Sequence, residues 1–142
     1  MATRVLSTLS EAHLRAGRLE EASTLAARAL ELDRTHQERG QEAYALRLLG
    51  DIALQRHPPD VAQADASYRQ ALALAEELGM RPLMAHSHFG LGSLSLKLGR
   101  LGPARADLSQ ALELFRAMQM TFWLPTAEAA LAQVVKEDEG HV

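Results

Sequence analysis

His86 and His88 are the first residues of this chain that invite a chemical reading, because paired histidines commonly begin a metal site. On a helix, residues two apart point about 200° apart, so these two cannot share one ion. His57 stands beside Pro58 and Pro59 in a turn. There is no HExxH, no ExxH and no Cys, so no metal-ligating set can be assembled from sequence. GxSxG and phosphate-loop motifs are absent. Gly90 and Gly92 in HFGLGSLSLKLG fall inside a helical segment and cradle no phosphate. No catalytic residue, metal or cofactor is therefore expected, and the chain does not read as an enzyme. What remains is the chemistry of interfaces. Tyr44, Arg47, His86 and Phe89 are the residue types that anchor protein contacts. Arg47 and Asp51 stand four apart and read as a simple surface ion pair.

Composition points to the elements that would carry such residues. Of 142 residues, 47% are hydrophobic but only 4% aromatic, so the apolar content is mainly Ala and Leu, both strong helix formers. The length suits one domain with a real core. The absence of Cys agrees with a reducing compartment. A net charge of -3 and basic residues interleaved with acids give no case for nucleic acid. The start, MATRVLSTLSEAHLRAG, lacks the apolar run of a signal peptide, and no stretch of 18 apolar residues could cross a membrane. A cytoplasmic location, without membrane or nucleic-acid partners, is expected.

The chain repeats itself. Leu-small pairs stand at Leu9-Ser10, Leu49-Gly50 and Leu91-Gly92, spaced by 40 and 42. Ala-Leu pairs stand at Ala29-Leu30, Ala71-Leu72 and Ala111-Leu112, spaced by 42 and 40. One insertion of two residues in the middle unit, placed at His57-Pro58-Pro59-Asp60, accounts for every spacing. A fixed period of this size means stacked supersecondary units.

Each unit reads as two helices. The first runs from Thr3 to about Ala16, with Val5, Leu6, Leu9, Ala12 and His13 on one stripe and Gly17 as its stop. Its mate begins near Leu19, with Glu20 and Glu21 favoured by the helix dipole. THQERG forms a polar connection ending at Gly40. Helices over about Gln41 to Gln55 and Val61 to Leu78 follow, the latter capped by Asp60 and ended by Gly79. Pro82 opens a helix over about Leu83 to Leu98, where Leu91, Leu94 and Leu98 form one stripe. Gly102-Pro103 opens the next, ending near Met118. A last helix, about Thr126 to Lys136, caps the third unit. Met118, Met120, Phe122 and Trp123 are expected to pack beneath it.

These landmarks resemble the tetratricopeptide repeat. The third unit carries the family pattern throughout: Leu91-Gly92, Gly99, Ala104, Leu108, Ala111-Leu112. The first has Leu9-Ser10, Gly17, Ala22, Ala26, Ala29-Leu30, and the second has Leu49-Gly50, Ala64, Tyr68, Ala71-Leu72. The early aromatic position holds Leu6, Leu46 and His88 instead, and the period exceeds the family's usual one. The stretch from Ala75 to Leu131 is also similar to the repeat region of large bacterial regulators that join a nucleotide cyclase or other effector to an ATPase module. The resemblance implies an all-α, right-handed α-solenoid of seven helices: a single domain over 1–138, with repeats at about 3–42, 43–84 and 85–124, a capping helix at about 125–138, and a short acidic tail at 139–142.

The resemblance further implies that the first helices line a concave groove. Its inward positions map to Arg4, Ser7 and Glu11; to Tyr44, Arg47 and Asp51; and to His86, Phe89 and Ser93, with Ala129 and Gln133 beyond them. A protein or peptide partner is implied. The family's grip on a terminal carboxylate by paired Lys and Asn is not, since the chain has no Asn and these positions no Lys. A relay or self-association segment of a larger regulator is the alternative, with a homodimer seam on the uncapped outer face of the first helix.

Overall fold

In the computed structural model the described residues are 2–140, with side chains from Arg4 onward. They form seven helices: α1 (Ala2–Arg15), α2 (Leu19–Thr35), α3 (Arg39–Gln55), α4 (Val61–Leu78), α5 (Arg81–Lys97), α6 (Leu101–Ala117) and α7 (Leu124–Glu139). The fold is an all-α solenoid. Turns within the pairs α1–α2, α3–α4 and α5–α6 have three, five and three residues, so the two extra residues of the middle unit sit in the Arg56–Asp60 turn. That turn contains a cis His57–Pro58 bond.

Local chemistry sets most helix ends. Gly17, Gly79 and Gly99 take left-handed φ of 80°, 70° and 73°, which a side chain resists. The Asp60 carboxylate accepts from the Gln63 N–H at 3.2 Å and caps α4. The THQERG connection is shorter than expected. Gln37, at φ 56°, turns the chain, α3 starts at Arg39, and Gly40 lies inside it. Gln119, also at φ 56°, plays the same part between α6 and α7. The acidic tail begins later than expected, because Glu139 still belongs to α7; His141 and Val142 lie outside the described residues.

Packing separates two layers. Each helix touches its neighbour in sequence; beyond that, α1 meets α3, α3 meets α5 and α5 meets α7. Among the described residues α2, α4 and α6 do not meet, so the first helix of each pair forms the inner layer. Small residues seat the pairs. Ala22, Ala64 and Ala104 are fully buried, and the Ser10 hydroxyl donates to the Ala22 carbonyl at 2.7 Å. Ala104→Trp is expected to overpack this seam and destabilise by about 1–3 kcal/mol; an unchanged thermal midpoint would remove the assigned packing register.

Two stripes differ from expectation. On α1, Ser7, Ser10 and Leu14 are buried, while Val5 and Leu9 are 66% and 46% exposed. The repeat equivalents of Leu9 and Ala12 in the third unit, Leu91 and Leu94, are each 3% exposed. The difference is positional: α3 and α5 are covered by α2 and α4 of the preceding pair, whereas among the described residues α1 meets only α2 and α3. Leu98 leaves the Leu91–Leu94 stripe because it terminates α5, where it is exposed.

Candidate functional site

The inner layer encloses two cavities. The first, of about 510 Å³, is lined by Arg4, Ser7 and Thr8 of α1, by Gln41 and Tyr44 of α3, and by Met80. The second, of about 430 Å³, crosses the layer: Glu11 and Arg15 on α1, Arg47 and Asp51 on α3, His86 and Phe89 on α5, and Trp123 ahead of α7. The Tyr44 hydroxyl donates to the Glu11 carboxylate, and this contact divides the two spaces. Eight of the nine inward residues named from the repeat register therefore line one cavity or the other. Ser93 lines neither. Ser7 borders the first although its side chain is buried. Ala129 and Gln133 are exposed on α7, away from both; Gln133 bonds Glu137 within its own helix at 3.0 Å.

Asp51 differs from the surface ion pair expected of it. Its carboxylate lies 3.0 Å from Arg47 Nε, both side chains are largely buried, and its other oxygen accepts from the Tyr68 hydroxyl. Burial pushes the Asp51 carboxyl up, against Arg47 and the Tyr68 bond, which favour its charge. Burial, then the bond to Glu11, pushes Tyr44 up to about 12, so at neutral pH its hydroxyl keeps the proton it donates. Tyr68 is likewise raised well above the ordinary phenol value, burial again leading.

Tyr68 was not among the residues read as inward-facing. It belongs to α4, in the outer layer, yet its hydroxyl reaches Asp51 on the inner layer. Two glycines admit the ring. A Cβ on Gly50 would lie 2.8 Å from Tyr68 Cδ1, and one on Gly90 only 2.3 Å from Cε1. Gly50 belongs to the repeat pattern, whereas Gly90 does not. That extra glycine was the available signal, but only a ring from another helix explains it.

The two histidines face different surroundings. His88 Nδ1 stands 2.9 Å from Asp107 Oδ1 on α6, so the position is bonded as well as packed. His86 lies between Phe115, with ring centroids 5.2 Å apart, and Trp123 at 4.6 Å, both edge-on. Met118, Met120 and Trp123 pack with Phe115 beneath α7 as expected, but Phe122 is 81% exposed.

Burial in this aromatic corner pushes His86 down to about 4, and the Arg47 guanidinium adds to the effect. The native value lies below the unfolded one, so the unfolded chain binds more protons between them and stability falls as pH drops through that window. Relative to His86→Gln, the wild type should lose on the order of 1–3 kcal/mol between pH 6.5 and pH 4. Urea unfolding of both proteins across this range measures it; a pH-independent difference would contradict the burial of a neutral ring.

Comparison with known proteins places this geometry. Residues 85–117, which span α5 and α6, match the tetratricopeptide repeat family. The fold is similar to that in the crystal structure of the apo form of RapI, with a TM-score of 0.86 and 19% identity over 97% of this chain. At that identity the likeness is one of fold, and the chain spans half the length of the RapI chain. No curated protein matches the chain in sequence.

Proposed function

We propose that the inner face is a docking groove for a peptide or an extended segment of a partner protein, and that no reaction is performed there. The observation that carries this is the second cavity, lined by residues of three successive inner helices, α1, α3 and α5, together with Trp123. Its polar floor is rigid, because Glu11 and Asp51 are each held by an arginine and a tyrosine. Its wall of Phe89, His86 and Trp123 offers the large, stiff surfaces on which binding energy concentrates. His86 packs between rings, and among the described residues no hydrogen bond joins it to a carboxylate, which disfavours acid–base work. A cytoplasmic protein partner suits the modest negative charge better than nucleic acid.

The test compares partners recovered from source cells by the wild type and by Tyr44→Ala/Phe89→Ala, with both proteins shown to be folded. Loss of specific partners in the double variant is expected, and equal recovery would sink the groove.

A second reading, self-association or relay within a larger regulator such as a cyclase–ATPase protein, is favoured by the exposed Val5 and Leu9 on α1. A sedimenting dimer that becomes monomeric in Val5→Glu/Leu9→Glu supports it. A wild-type monomer at high micromolar concentration removes the self-association part.

A further inference from the structure

Donors and acceptors around the 430 Å³ cavity do not balance. Glu11 accepts from Arg15 at 3.0 Å and from Tyr44, and Asp51 accepts from Tyr68 while facing Arg47. Both carboxylates and both phenolic protons are thereby engaged inside the protein. Arg47 is different. Its side chain is only 15% exposed, its Nε stands 3.0 Å from the Asp51 carboxylate in a geometry that makes no hydrogen bond, and among the described residues no hydrogen bond engages any of its guanidinium donors. A guanidinium presents these donors as a planar fork that matches a carboxylate. The same cavity carries Phe89, His86 and Trp123 as an apolar wall. A cationic ligand group would find both acids already paired and Arg47 repelling it.

Resting on the docking groove proposed above, we infer that the bound peptide presents a carboxylate to Arg47 and seats an adjoining large apolar side chain against Phe89, His86 and Trp123. The carboxylate is that of an acidic side chain, since the groove lacks the paired Lys and Asn with which the repeat family grips a peptide's own C-terminus.

Trp123 is the sole tryptophan and lines the cavity, so its emission reports occupancy. The full chain is titrated with three pools of short peptides, randomised elsewhere. One carries Leu-Glu with both ends capped, one carries Leu-Gln with both ends capped, and one ends in an uncapped leucine. The Leu-Glu pool should shift Trp123 emission at roughly tenfold lower concentration than the capped Leu-Gln pool and than the uncapped pool. A preference for the uncapped pool over Leu-Glu overturns the assignment to an acidic side chain. In Arg47→Gln/Asp51→Asn, which removes both charges and leaves no lone buried carboxylate, this preference should vanish while the weaker binding common to all pools persists. Equal titration by all three pools in the wild type, or a preference retained in the double variant, overturns the inference and leaves the groove standing. If no pool moves the emission or releases heat on mixing, the groove itself falls and the inference with it.

Discussion

Gly90→Ala is expected to destabilise the fold by about 3 kcal/mol or more, at or above the upper end of ordinary overpacking. The added methyl would lie 2.3 Å from two carbons of the Tyr68 ring. That ring is fully buried, is flanked on its other side by Gly50, and is anchored through its hydroxyl to Asp51. It has nowhere to turn, so α5 must shift away from α4. A double-mutant cycle isolates the cause. Tyr68→Leu removes the ring edge, and in that background Gly90→Ala should cost at least about 1 kcal/mol less than it does alone. Additive effects would show that the glycine is needed for something other than the ring. Gly102→Ala is the control: nothing lies within 4 Å of a Cβ there, and in the exposed first turn of α6 the change should be neutral or stabilising by up to about 1 kcal/mol.

Phe115→Ala should cost about 3–5 kcal/mol, the range for deleting a fully buried aromatic side chain. Phe115 has no solvent exposure and lies 6.2 Å from Trp123, nearly parallel, and 5.2 Å from His86. It is therefore the centre of the aromatic corner as well as a seat for α7. Two site-level readouts should follow the loss of stability. Trp123 emission should move to the red as water reaches the ring. The His86 titration should rise from about 4 toward its ordinary value, because burial is the leading cause of its depression. A cost below about 1 kcal/mol with unchanged emission would mean the corner closes without Phe115.

Both expectations concern contacts between helices distant in sequence, and they mark where sequence reasoning stops. The Leu-small and Ala-Leu pairs, spaced by 40 and 42, were sufficient for helical pairs in a stack, and the two-residue excess of the middle unit was legible to within a few residues. Left-handed turns at Gly17, Gly79 and Gly99 were equally legible, because glycine carries its own backbone preference. The turns at Gln37 and Gln119 were not, because glutamine has no such signature and tertiary packing imposes the conformation.

The same division holds at the candidate site. The resemblance to the repeat family implied that Glu11, Arg47, Asp51, His86 and Phe89 face inward, and all five line the second cavity. The resemblance could not foresee that Tyr68 crosses from the outer layer, or that Arg47 lines the cavity without a hydrogen bond to Asp51. Nor could it foresee that the aligned residues Leu9 and Leu91 would differ in exposure. Helix formation and punctuation follow from neighbours along the chain, so sequence by itself determined the stacked helical pairs, and the family resemblance named their inner face. Burial, ring placement and the pairing of charges depend on which helix lies opposite. Only the tertiary structure decided them, and it turned a row of interface-type residues into a cavity with Arg47 beside an aromatic wall.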